Sequence, residues 1–108
     1  MDWRADFEAE LERGAQARAR GNEGRARVCA RRAAGIVARQ VLEPAGLCPP
    51  NAGALDLLKM LRQQTDLSPQ ALTLIDHLTQ TVDQAFRLPA SVDLIADARR
   101  LRTLLLPG

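Results

Sequence analysis

The stretch NEGRARVCARRAAGIVARQVLEPAG, residues 22–46, decides the fold. At about 100° per residue, Ala26, Cys29, Ala30, Ala33, Ile36, Val37, Gln40 and Val41 share one broad face of a helix. Asn22 is a natural cap at its start, and Pro44 with Gly46 ends it near residue 42. Most residues on that face are small. They let a helix axis approach its neighbours closely, so the spacing predicts a helix in the middle of an all-helical fold. A second, narrower stripe of Val28, Gly35 and Leu42 recurs every seven residues and reads as a contact seam, with a second subunit as its candidate partner. Arg25, Arg32 and Arg39 keep the same spacing and fall within about 40° of one another. Arg27 and Arg31 lie on a different flank, so two arginine stripes bracket the seam.

Working outward, Trp3, Phe7 and Leu11 lie four apart and are followed by Gly14 and Ala15, one stripe of a helix reaching about Arg20. Acids precede arginines along it, the order that suits the helix dipole. Gly21 is the stop. Downstream, EPAGLCPPNAG, residues 43–53, forms the long loop, with Asn51 as the candidate cap of a short third helix bearing Leu55, Leu57, Leu58 and Leu61. Ser68-Pro69 opens a fourth helix. Its stripe of Ala71, Leu74, Ile75, Leu78, Val82 and Ala85 runs to Phe86. Leu88-Pro89 breaks the chain, and Ser91 is the expected cap of a fifth helix with Leu94, Ile95, Ala98, Leu101, Leu104 and Leu105, Asp93 falling in its first turn. No segment alternates with period two. The fold expected is all-α, an up-and-down bundle of five helices (four main ones and a short one) forming a single domain over residues 1–108.

Composition agrees. At 108 residues, 46% hydrophobic and 26% charged, the chain has the make-up of one globular domain rather than a disordered one. Aromatic residues are 3%, so the core must be aliphatic. A net charge of +2 conceals segregation: residues 13–39 hold eight arginines against the single acid Glu23, while residues 1–12 hold five acids against Arg4. The acidic start is no secretory signal, and no run of eighteen apolar residues offers a membrane span. A cytoplasmic location is expected.

The catalytic inventory is short. Ser68 and Ser91 are needed as caps, and the sole histidine, His77, lies about 115° from the centre of its helix's apolar stripe, at a boundary position. Gln80 and Thr81 stand where a helical partner ligand would project, so His77 reads as no metal site. Asp76 and Asp83 read as solvated acids. Cys29 and Cys48 lack C-x-x-C spacing, and reach makes a disulfide between them improbable. They are expected as two thiols, Cys29 buried. GNEG, residues 21–24, lacks the frame of a phosphate loop. No cofactor is implied.

The arginines carry two readings. As a phosphate-tracking surface, their forked guanidiniums suit a nucleotide or RNA, with Arg25, Arg32 and Arg39 in front and Arg27 and Arg31 in support. Against this, no aromatic side chain is interleaved for base stacking. As an ordinary polar face, they pair with Glu8, Glu10, Glu12 and neighbouring aspartates, forming the rim of the seam.

Two stretches carry a family likeness. ARARGNEGRARVCARRAAGIVARQVLEPAG, residues 17–46, and RLPASVDLIADARRLRTLL, residues 87–105, resemble the HEPN (higher eukaryotes and prokaryotes nucleotide-binding) superfamily of small helical bundles. The first looks like that family's alanine-rich second helix and the turn before it, the second like its last linker and helix. The family includes ribonucleases in which an arginine precedes a histidine with four to six residues between them. Gln70, Ala71 and Leu72 occupy the corresponding positions before His77, so the resemblance implies the bundle and dimerisation but not that activity. Other relatives are non-catalytic partners of nucleotidyltransferases. The function expected is a non-enzymatic interaction module, homodimeric and acting as an accessory subunit with a nucleotidyltransferase-type partner. The alternative is a nucleotide- or RNA-binding module using the arginine-rich helix.

Overall fold

The computed structural model describes residues 2–80 and 93–107, and within them the secondary structure is helical. Five α-helices follow in order: α1 (Trp3–Ala19), α2 (Glu23–Leu42), α3 (Ala54–Arg62), α4 (Pro69–Thr79) and α5 (Leu94–Leu105), with one 3₁₀ turn at Glu43–Ala45 after α2.

The α1–α2 connection follows from three residues. Gly21 adopts φ +81°, a left-handed conformation that costs glycine little. Its N–H donates to Arg18 O at 2.9 Å, and Asn22 N–H donates to Ala17 O at 2.8 Å, satisfying carbonyls at the end of α1. The Asn22 side chain then caps α2 by accepting from Arg25 N–H. The chain turns back so that Gly14 lies against Ala26 and Cys29. At the other end of α2, Gly46 (φ +70°) donates to Glu43 O and closes the 3₁₀ turn.

Helix α2 is central, as its small residues predict. It touches each of the other four helices. Ala26, Ala30, Ala33, Ala34, Val37 and Ala38 are buried completely. Around them close Phe7 and Leu11 of α1, Leu57, Leu58 and Leu61 of α3, Leu74, Ile75 and Leu78 of α4, and Leu94, Ala98 and Leu101 of α5. The closest approach is between α2 and α3 at Gly35. A methyl group there would lie 2.7 Å from Ala54 Cβ and 2.9 Å from Ala54 Cα, so only glycine admits α3 at this distance. Ser68 caps α4, accepting from Ala71 N–H at 3.1 Å, with Pro69 in the first turn.

Three boundaries differ from the sequence reading. Asn51 does not cap α3: Gly53 holds the cap position with no side-chain bond. The helix expected to reach Phe86 ends at Thr79, because Gln80 is extended and its carbonyl, with that of Leu78, is taken by Arg31. The cap of α5 is Asp93, whose carboxylate accepts from Ile95 and Ala96 N–H. A carboxylate at that position reaches two free N–H groups at the positive end of the helix. Val82, Asp83, Ala85, Phe86, Leu88, Pro89 and Ser91 lie outside the described residues.

Candidate functional site

The arginines of residues 18–39 divide into those that hold the chain to itself and those that do not. Arg18 bridges two acids, Glu23 at 2.6 Å and Asp93 at 2.9 Å, and so ties the start of α5 to the α1–α2 turn. The hydrogen bond it donates to Glu23 is the main reason its guanidinium holds its proton more firmly than usual, with Asp93 adding to it against partial burial. Arg31 donates to the carbonyls of Leu78 (2.8 Å) and Gln80 (3.1 Å). Burial, then repulsion from Arg27 one turn earlier, pushes its pKa down. Arg39 donates to Cys48 Sγ at 3.1 Å and Ala52 O at 3.2 Å, pinning the proline loop onto α2. Two of the five arginines proposed from sequence are therefore occupied with backbone carbonyls. The expected acidic partners are used elsewhere. Glu8 holds Arg99 and Arg102 at 3.0 Å each, Glu10 holds Arg13, and Glu12 accepts from Gln16.

Besides Arg20 at the end of α1, the side chains of Arg25, Arg27 and Arg32 remain without a hydrogen-bonded partner among the described residues, Arg25 and Arg32 being exposed. Between them Val28 is 38% exposed, one of few large apolar side chains so open. The seam of Val28, Gly35 and Leu42 does not form one surface. Gly35 is covered by Ala54, and Leu42 lies in the core at 1% exposure. The physical reason is α3, which folds back over the second half of α2 and leaves only the first half facing outward. Arg32 also borders a crevice of about 250 Å³ with Glu10, Arg39 and Leu57. There Glu10 Oε2 is buried without a hydrogen-bond partner, while its Oε1 is held by Arg13.

The second arrangement lies between α4 and α5. His77 Nδ1 stands 3.0 Å from Asp97 Oδ2, the carboxylate being buried with 8% of its side chain exposed. An ionised carboxylate can only accept, so the proton between them sits on Nδ1 and Nε2 is turned away from Asp97. The pair opens into a groove of about 620 Å³ lined also by Gln70, Thr73, Leu74, Arg100 and Leu104. Sequence reasoning placed His77 at a boundary but missed Asp97. The signal was present: Asp97 interrupts the apolar stripe of Leu94, Ala98 and Leu101 at a position where an apolar side chain is due.

Neither cysteine is in a disulfide; Cys29 is buried and Cys48 half-buried. Among the described residues no three His, Cys, Asp or Glu side chains come together as metal ligands, and no helix is long and apolar enough to cross a membrane. No family model, curated protein or solved structure matches the chain.

Proposed function

We propose that the chain is a non-enzymatic, HEPN-like interaction module that associates with a second copy of itself and serves as an accessory subunit. The observation that carries this reading is the outward strip on the first half of α2, where exposed Val28 sits between Arg25 and Arg32. An apolar side chain rimmed by guanidiniums with no partner among the described residues is the composition of a small contact surface. The likeness of residues 17–46 to the HEPN second helix supports it and supplies the class of larger partner, a nucleotidyltransferase-type protein. The Ser68 hydroxyl is spent as the cap of α4, and Arg18, Arg31 and Arg39 are spent as clamps between elements.

The same strip favours a second reading, since Arg25, Arg27 and Arg32 have no side-chain partner among the described residues and can meet phosphate. Light-scattering mass of the protein, alone and with short RNA at low and high salt, separates the two. A dimer that persists in salt, ignores RNA and is lost on Val28→Glu supports the contact surface. A mass gain with RNA that disappears in salt and on substitution of the three arginines supports phosphate binding, because each phosphate contact released returns a counterion. A monomer at every concentration, unmoved by RNA, overturns both.

A further inference from the structure

The groove between α4 and α5 lies on different helices from the α2 strip and has a chemistry of its own. Helical spacing puts Gln70, Thr73 and His77 on one side of α4, with Leu74 beside them, and Asp97, Arg100 and Leu104 on one side of α5. We propose that this groove binds a small monocarboxylic acid with an apolar tail, its carboxylate between Arg100 and His77 and its tail along Leu74 and Leu104.

Four features lead there. The first is size: about 620 Å³ is within the range of small-molecule sites, roughly 300–1,000 Å³. The second is the set of available donors. Both lining hydroxyls are spent as donors within their own helices, Thr73 to Pro69 O and Thr103 to Arg99 O. Arg99 and Arg102, flanking Arg100, are held by Glu8, whereas Arg100 has no carboxylate partner among the described residues. Two cations that reach α4 from other helices are engaged, Arg62 with Asp76 and Arg31 with the carbonyls at the end of α4. Among the described lining residues, Arg100, His77 and the Gln70 amide are left to meet a carboxyl group, Arg100 being the guanidinium among them.

The third is charge. Among the described lining residues Arg100 is the one guanidinium and has no carboxylate partner, a match for a monoanion rather than a polyphosphate. The acid binds with one proton shared in a hydrogen bond between its carboxyl group and His77 Nε2, while Nδ1 stays on Asp97. The fourth is the apolar side. Leu104 is 41% exposed, an uncommon state for leucine here, and with Leu74 and Pro69 gives a tail a surface to cover. Among the described residues no aromatic side chain lines the groove for a nucleobase to stack on.

The test uses the full chain with hexanoate as probe, followed by NMR of the His77 ring and the leucine methyls, with calorimetry for affinity. The proposal expects saturable shifts at His77 and Leu104, at least tenfold weaker binding in Arg100→Gln, and weaker binding in Leu104→Ser. Both substitutions are at exposed positions and leave the fold in place. Hexanol isolates the tail and inorganic phosphate the anion; neither alone reproduces the affinity of hexanoate. Equal binding of hexanol, equal binding of phosphate, an unchanged affinity in Arg100→Gln, or no shift at His77 would each overturn it. None of these outcomes bears on self-association through α2, which the mass measurement reads separately.

Discussion

Gly35→Ala sets two opposite effects against each other at one atom. In the interior of a helix, alanine is ordinarily favoured over glycine by about 1 kcal/mol, because the unfolded chain loses less freedom on folding. Here the new methyl would sit 2.7 Å from Ala54 Cβ and 2.9 Å from Ala54 Cα. Carbon atoms settle at about 3.5–4.0 Å, so α2 and α3 must separate by close to 1 Å. Neither neighbour is the free end of a flexible side chain, so the strain cannot be relieved by a rotamer change. Separation would also loosen Leu57, Leu58 and Leu61, which are buried by the same contact. Overpacking of this kind costs about 1–3 kcal/mol, and with backbone as the obstacle the upper end applies. The net expectation is a loss of about 1–2 kcal/mol, or about 5–10 °C in Tm for a domain of this size. Gly24→Ala is the control: its methyl would meet only Asn22 Oδ1 at 3.8 Å, and the variant should be as stable as the parent or slightly more so. Urea melts at two protein concentrations tenfold apart provide the assay. If Gly35→Ala is as stable as Gly24→Ala, the close α2–α3 approach is refuted. If its loss appears only at the higher concentration, Gly35 faces a second subunit and not α3.

Arg31→Ala strips the partner from the carbonyls of Leu78 and Gln80 and should cost about 1–3 kcal/mol, whereas Arg25→Ala on the open strip should stay within about 0.5 kcal/mol, both read from urea midpoints. Asp93 gives a pH dependence. Burial opposes its ionisation, but hydrogen bonds from Arg18 and from Ala96 and Ile95 N–H outweigh that and hold the carboxyl below its ordinary value. A depressed folded value adds stability above the ordinary carboxylate range and loses it as pH falls through the folded value. Asp93→Asn should therefore be less stable near neutrality and flatten the acid limb of the stability curve below about pH 4; an unchanged acid limb would remove Asp93 from the account.

How much of this was legible depends on how far apart the partners lie. The central position of α2 could be read from its alanines because one helix's periodicity carries that information locally. The same holds for Ser68-Pro69, where cap and first turn are adjacent. The cap of α5 was placed two residues early, at Ser91, since two competent cap residues stand close together and only the direction of the helix selects between them. Asn51 lost its position to Gly53 in the same manner. Contacts such as Glu8 with Arg99 and Arg102 join the two ends of the chain and leave no periodic trace. The His77–Asp97 pair falls between these cases. Each residue departs from its own helix's pattern, His77 by sitting off the stripe and Asp97 by interrupting one, but their meeting depends on how α4 lies against α5.

The arginine-rich stretch shows why net charge along a segment is a weak guide to a binding face. Residues 13–39 carry eight arginines, yet Arg18, Arg31 and Arg39 each reach two acceptors at once, bridging elements distant in sequence. That task needs a planar fork with several donors; a lysine ammonium, as a point charge, would hold one acceptor well and leave the other unsatisfied. Arginine is thus selected here by the carbonyls and carboxylates at helix ends as much as by any external anion. Two of these clamps, Arg31 on Gln80 and Arg18 on Asp93, sit at the last and first described residues either side of 81–92, fixing where α4 stops and α5 begins. In doing so they set the relation of His77 to Asp97 and the width of the groove between them. An Arg31 variant should accordingly disturb the groove from the end of α4, while Arg25 and Arg32, which are exposed and clamp nothing among the described residues, are the positions where substitution reports on an outside partner.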